Sequence, residues 1–226
     1  MTNETDRTPV EPSTDSTASI TLAEDVMLVL FSPHNGTIAG EGTLFYVLGG
    51  SVLAELAQLE LVSVEDAGLR GTIVSAVGEV APTDPLLAEA WTYLKEKPRG
   101  VQGLLAAIGP KLREPVLDRL VKCGDISRER RKLLGVIPSH KLSAGDTTRR
   151  DELVSQVRAV LIDGENPSPR VAALTALVSA SGGLPTLNRE IPWSSTVATR
   201  AKAMESGDWG ADAAAAAVAR TMAAIV

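Results

Sequence analysis

The sequence has few of the residues on which many sites and folds depend. Cys123 is the only cysteine, so an intramolecular disulfide is excluded and a reducing compartment is favoured. Aromatic residues make up 3% of the chain, so we expect a core of Leu, Val, Ile and Ala. A run of about eighteen apolar residues is also missing, so the sequence predicts no membrane-spanning helix.

Motifs that carry catalysis or bind metals are missing as well. Neither histidine, His34 or His140, has a second ligand at a metal-binding spacing. The sequence holds no nucleophile elbow and no phosphate-binding P-loop. We interpret Cys123 as a small buried residue and the adjacent acids Glu24 and Asp25 as the solvated end of a helix. The sequence therefore predicts no enzyme activity, no cofactor and no metal.

Hydrophobic periodicity predicts a mainly α fold, a compact single-domain helical bundle with one or two short β-hairpins. Residues 1–19 are rich in Thr, Ser, Pro and acids, lack the features of a secretory signal, and are predicted to form a disordered acidic tail before a domain over residues 20–226. Thr21 and Glu24 have the spacing of a capping box at the first helix. We expect helices over 22–31, 43–60, 86–95, 101–108, 111–123, 147–162, 170–180, 191–204 and 208–225, and a hairpin over 61–77.

The distribution of charge is the strongest pointer to function. Residues 111–150 carry eleven of the twenty-two Lys and Arg residues against five acids, in a chain whose net charge is −6. Within this segment, the basic run 128–132 is followed at once by the apolar turn 133–137. Basic side chains next to an exposed apolar tip are typical of proteins that rest on anionic membranes.

Other interpretations of this segment remain open. A run of charge is often only a solvated face, and the apolar turn could be a buried strand or a contact with a second subunit. Nucleic-acid binding is disfavoured, because the segment has no aromatic side chains for stacking on bases and the protein is acidic overall.

Several motifs resemble those of the Golgi phosphoprotein 3 family, which has many actinobacterial members. Ala81-Pro82-Thr83-Asp84-Pro85-Leu86-Leu87-Ala88-Glu89-Ala90 is close to the family's Ala-Pro-Thr-Gly-Asp-x-Leu-Leu-Asp-Glu-Ala-Leu, one residue shorter. Three further segments resemble family helices and the start of the family hairpin: 22–30, 53–57, and 116–124 with 128–134. Gly207-Asp208-Trp209 is similar to the bacterial members, so the resemblance runs from about residue 20 to the C-terminus.

This resemblance implies a non-catalytic peripheral membrane protein. Eukaryotic members bind phosphatidylinositol 4-phosphate and act as adaptors for Golgi enzymes, and an apolar hairpin supports their self-association. Of the family's lipid-site arginines, one falls on Arg113, one on Pro110 beside Lys111, and one on Gly49. The family's loop tryptophan falls near Gly40; Phe45 and Tyr46, the nearest aromatic residues, are interpreted as core.

From these observations we predict a cytoplasmic protein at the inner face of the membrane, with an anionic phospholipid as partner and a protein cargo as a further possibility. The predicted headgroup contacts are Lys111, Arg113, Arg128, Arg130, Arg131 and Lys132. The predicted apolar contacts are Leu133, Leu134, Val136 and Ile137. The alternative is a cytosolic module that binds a protein or itself through the 128–142 hairpin, without lipid.

Overall fold

Helices form most of the residues that the computed structural model describes, which are 19–68, 71–133 and 137–206. The predicted mainly α fold with short hairpins is confirmed. The helices are α1 (Leu22–Leu30), α2 (Leu44–Gln58), α3 (Pro85–Glu96), α4 (Val101–Ile108), α5 (Arg113–Cys123), α6 (Thr148–Arg158), α7 (Pro169–Ala180) and α8 (Ser195–Ser206). The strands are β1 (Phe31–Ser32), β2 (Thr37–Ile38), β3 (Val62–Asp66), β4 (Thr72–Ala76), β5 (Arg99–Gly100), β6 (Ile126–Leu133) and β7 (Ile137–Ala144).

Helix α1 lies at the centre, with all nine of its residues buried. The predicted capping box begins it: the Thr21 N–H and hydroxyl donate to Glu24 Oε2 at 2.8 and 2.7 Å. Helices α2, α5, α6 and α7 all contact α1. The core around α1 is aliphatic, as the composition predicts, and Phe31 and Trp91 are the aromatic side chains buried in its described part.

Three small antiparallel sheets accompany the helices in the described part of the chain. The predicted hairpin over 61–77 is confirmed by β3 and β4, with Val62 paired with Ala76, and β5 adds a third strand. Strands β1 and β2 form a second, very short hairpin in a segment predicted as a loop. Strands β6 and β7 form the basic hairpin, with eight residues in each strand.

Some predicted boundaries are wrong. The helix expected from Ile191 begins only at Ser195, because the Ser194 hydroxyl caps it by accepting the Val197 N–H at 3.2 Å. The helix expected over 147–162 continues beyond Arg158 as a π-helical turn, Ala159–Asp163. The predicted helix over 208–225 and almost all of the predicted tail lie outside the described residues. No described helix is both long and apolar enough to cross a bilayer.

The interpretation of Glu24 and Asp25 as solvated is also wrong. Both are buried, with 3% and 4% of their surface exposed. Three arginines from α5, α6 and α7 converge on them at the start of α1. The buried charge is therefore stabilised by opposite charge, and the carboxylates also lie at the favourable end of the helix dipole.

Each arginine bridges two carboxylates, and together these pairs form the α1 ion network. Arg119 Nη1 lies 2.6 Å from Asp84 Oδ2 and 3.4 Å from Glu24 Oε2. Arg149 lies 2.8 Å from Asp25 and 2.7 Å from Asp125. Arg170 lies 2.6 Å from Asp25 and 3.2 Å from Glu55. The network thus joins α1 to α2 and to the three helices that supply the arginines.

The basic hairpin joins the rest of the protein at residues 124–125 and 145–146, which we call its root. Gly124 ends α5 in the left-handed conformation, and its carbonyl accepts the Asp146 N–H at 2.9 Å. The Gly145 N–H donates to the Asp125 carbonyl at 3.0 Å. A Cβ atom on Gly145 would collide with the Gly124 carbonyl, so only glycine allows the two chains to approach this closely. Cys123, next to the root, is exposed, so its interpretation as a buried residue is wrong.

Candidate functional site

A cleft of about 570 Å³ lies between the basic hairpin, the first turns of α5 and the β1–β2 turn. We call it the hairpin cleft. Its charged and polar lining includes the predicted contacts Arg113 and Arg128. The described residues of the lining are Asn35, Gly36, Thr37, Ile38, Glu41, Arg113, Glu114, Leu117, Arg128, His140, Lys141 and Leu142.

Both arginines in the hairpin cleft are held by carboxylates. Arg113 Nε lies 2.6 Å from Glu41 Oε1, and its Nη1 contacts Glu114. Arg128 lies 2.8 Å from Asp118 and 3.4 Å from Glu114. Partial burial acts to lower the pKa of Arg113, but its hydrogen bonds to Glu41 and Glu114 outweigh that effect and raise the pKa. The guanidinium is therefore charged at every physiological pH.

The carboxylates determine what the cleft can bind. Arg113, Arg128 and Lys141 supply three positive charges, against the negative charges of Glu41 and Glu114 in the lining and of Asp118, which is paired with Arg128. Glu41 and Arg113 are well exposed, at 52% and 38% of their side-chain surface, so water screens their attraction. An anion that reaches Arg113 can replace Glu41 at little cost, because the released carboxylate returns to solvent.

Lys111 lies apart from the hairpin cleft, although it precedes Arg113 by only two residues. It belongs to the 3-10 turn Gly109–Lys111 before α5, and its Nζ lies 3.2 Å from Glu89 of α3. That pair borders a different hollow, between α3 and α4. The structure therefore brings Arg113 and Arg128 together and separates Lys111 from them.

The described part of the hairpin places one further predicted contact next to the cleft. Arg130 is exposed and is paired in the sheet with His140, which lines the cleft. The register continues through Arg131, Lys132 and Leu133, whose partners are Ser139, Pro138 and Ile137. Only the backbone is described for Arg131, Lys132, Leu133 and Ile137, while Leu134 and Val136 lie outside the described residues.

The positions where the family pattern is not kept have structural roles here. Gly49 is buried in α2, where a Cβ atom would lie 3.1 Å from Leu105 Cδ2, so an arginine has no room. Gly40 lies against the Ser181 backbone, and a Cβ atom there would approach the Ser181 carbonyl oxygen to 2.7 Å. Pro110 occupies the 3-10 turn before α5.

The interpretation of Phe45 as a core residue is wrong. Phe45 lies in the first turn of α2 and is 38% exposed, with its ring in edge-on contact with Tyr46 at 5.6 Å between centroids. Its carbonyl packs against Gly109, just before Lys111. Sequence periodicity could not identify this exposure, because the residues on both sides of Phe45 are themselves apolar or aromatic.

The described residues hold no group of three or more His, Cys, Asp or Glu side chains that could bind a metal ion. Comparison with protein families gives one match: the model for Golgi phosphoprotein 3 (GPP34) matches residues 22–221, which is most of the chain. No curated protein is significantly similar to the sequence.

Proposed function

Because this chain belongs to the Golgi phosphoprotein 3 family, we propose that it is a non-catalytic peripheral membrane protein that binds anionic phospholipid headgroups in the hairpin cleft. The proposal rests mainly on one observation. Arg113 and Arg128, which are fifteen positions apart in sequence, line the same cleft at the side of the basic hairpin.

The chemistry of the cleft suits a phosphate headgroup. Guanidinium groups bind phosphate through paired hydrogen bonds, and two of them from different elements can contact one phosphate from two sides. Lys141 and the exposed Arg130 add positive charge nearby. Because two family positions carry Gly49 and Pro110, we propose attraction to anionic lipids in general, with phosphatidylinositol 4-phosphate as one of them.

The hairpin supplies the second part of the proposal. Its strands extend eight residues beyond the root, and the sequence between them is apolar. In the proposed orientation, Leu133, Leu134, Val136 and Ile137 enter the interface while Arg131 and Lys132 meet the headgroups. Each basic residue near an anionic surface contributes about 1 kcal/mol, so binding is expected to be weak and sensitive to salt.

A second candidate function is self-association through the same hairpin. In the described residues, β6 and β7 form a two-stranded sheet, so each strand has an outer edge that pairs with no other strand. Beyond Leu142, whose carbonyl packs against Gly36, such an edge can accept a strand from another chain. In that case the protein is a cytosolic interaction module, and the hairpin binds a second copy or a protein cargo.

Vesicle flotation tests the first candidate. We expect recovery on phosphatidylcholine vesicles that contain phosphatidylglycerol or phosphatidylinositol 4-phosphate, and little on phosphatidylcholine alone. Arg113→Gln should lower the affinity about fivefold, since it removes one charge worth about 1 kcal/mol. Arg158→Gln is the matched control, because Arg158 is exposed, lies 3.8 Å from Asp163 and is outside the cleft.

Equal recovery on neutral and anionic vesicles at all salt concentrations would contradict lipid binding. The second candidate is tested with Leu134→Glu in light scattering. A lower molecular mass for this variant, with no recovery of either protein on any vesicle, would establish self-association as the role of the hairpin.

A further inference from the structure

A second cleft, of about 450 Å³, lies on the opposite side of the β1–β2 turn from the hairpin cleft. We call it the polar cleft. The two clefts share Asn35 and Thr37, which line both. The far wall of the polar cleft is the segment 186–190, at the end of the 3-10 helix Leu184–Leu187, and Arg150 of α6 also lines it. Lys111, Arg113, Arg128 and Arg130, the predicted lipid contacts whose side chains the structure describes, take no part in this cleft.

The asparagines of the polar cleft present hydrogen-bond donors. Asn35 Oδ1 already accepts the N–H and the hydroxyl of Thr37, at 3.1 and 2.7 Å. Asn188 Oδ1 accepts the Trp193 N–H at 2.8 Å. An amide side chain has one oxygen and one NH₂ group, so the NH₂ groups are what both side chains retain for a ligand.

Arg150 adds a buried positive charge. It is 3% exposed, its Nε donates to the Phe31 carbonyl at 2.9 Å, and its Nη2 donates to Glu190 Oε1 at 3.2 Å. Its Nη1 has no hydrogen bond within the described chain, since the Asp151 carboxylate is 3.9 Å away. Among the described residues, Gln58 Nε2 is the one fully buried side-chain polar atom without a hydrogen-bond partner. Arg150 Nη1 also lacks such a partner but is not fully buried, so it is accessible to solvent.

Positive charge exceeds negative charge in the polar cleft. Arg189 is exposed and forms no ion pair with any described carboxylate, and His34 is exposed on the opposite wall. Glu190 is the only acid among the described residues of the lining, and its carboxylate is held by Arg150. A ligand entering here therefore meets donors and positive charge on several sides and few free acceptors.

We propose that the polar cleft binds a small ligand through a phosphate monoester group, with Arg189 and Arg150 contacting the phosphate and Asn35 and Asn188 donating to its remaining oxygens. A phosphate monoester offers several acceptor oxygens in different directions, which suits donors on opposite walls better than a planar carboxylate does. The volume of the cleft is in the range of small-molecule sites. The phosphate can belong to a soluble metabolite or to a lipid headgroup.

The test is a titration of the ¹⁵N-labelled full-length protein with glycerol 3-phosphate and with inorganic phosphate, followed by amide NMR at constant ionic strength. We expect saturable shifts in residues 34–37 and 186–190 and at the Trp193 amide, which is bonded to Asn188. Arg189→Gln should weaken binding about tenfold, the loss expected for one charged hydrogen-bonding partner. Arg189 is exposed, so this variant is expected to fold normally.

Arg113→Gln serves as the matched control in the other cleft and should leave the shifts of residues 186–190 and of the Trp193 amide unchanged, because 186–190 line the polar cleft and not the hairpin cleft. Shifts that chloride reproduces, or a loss of affinity in Arg113→Gln with none in Arg189→Gln, would overturn the proposal. Flotation with phosphatidic acid vesicles then identifies the source of the phosphate. Recovery that Arg189→Gln lowers and the control Arg158→Gln does not lower indicates a lipid, and saturable binding of glycerol 3-phosphate without such a difference indicates a metabolite.

Discussion

Arginine–carboxylate pairs occur in two contrasting settings in this protein. In the α1 ion network the carboxylates are buried, and each of the three arginines bridges two of them. In the hairpin cleft, Arg113 and Glu41 are both well exposed. The same chemical pair therefore has two consequences. A buried pair cannot lose a partner without leaving an uncompensated charge, whereas an exposed pair can exchange its carboxylate for another anion.

Among the variants that test this comparison, Asp25→Asn is expected to have the largest effect on the free energy of unfolding. Asp25 accepts from both Arg149 and Arg170, so its neutralisation leaves two arginines short of a negative charge in a buried region. We expect the free energy of unfolding to fall by about 3 kcal/mol, measured by urea denaturation. A loss below about 1 kcal/mol would show that the α1 ion network is no more important for stability than a surface pair.

Glu41→Gln is the matched change in the exposed setting. Its effect on the free energy of unfolding should stay below about 1 kcal/mol, because the pair is exposed. On anionic vesicles, however, the variant should bind about fivefold more tightly than the natural protein, because one competing negative charge is gone from Arg113. Unchanged or weaker flotation would mean that Arg113 does not exchange Glu41 for a lipid phosphate.

The smallest expected effect is a change of stability with pH, which is expected for the buried α1 ion network and not for the exposed pair of Arg113 and Glu41. Burial raises the pKa of the Glu55 carboxyl, although the Leu22 N–H and Arg170 both act to lower it. The folded state therefore binds a proton at a higher pH than the unfolded state does, so this group adds stability as the pH falls through its raised pKa. The melting temperature of the natural protein should rise relative to that of Glu55→Gln between pH 8 and pH 5. A difference that stays constant with pH would contradict the raised pKa.

Local sequence patterns predicted most of the fold. The Thr21–Glu24 capping box acts within a few residues of the helix that it begins, and the 61–77 hairpin joins two strands that are neighbours in sequence; both are present. The start of α8 was missed because a hydrogen bond from Val197 to Ser194 outweighs the apolar periodicity that begins at Ile191.

The candidate site was predictable only in part. Arg113 and Arg128 share a cleft because the chain reverses between α5 and β6, so the proximity of their segments in sequence was informative. The partners Glu41 and Glu114 were missed, and Glu41 comes from a loop 72 residues away. The buried positions of Glu24 and Asp25 were missed for the same reason, since their arginine partners lie between 95 and 145 residues further along the chain.

The close contact between Gly145 and the Gly124 carbonyl fixes the point at which the hairpin joins the body of the protein. Antiparallel β-strands rise about 3.3 Å per residue, so the far end of an eight-residue strand lies roughly 25 Å from that point. A small rotation at the base therefore becomes a displacement of several ångströms at the tip. The tilt at which the hairpin meets any flat surface thus depends on contacts with the body of the protein, at these two glycines and where Gly36 packs against the Leu142 carbonyl, far from the tip.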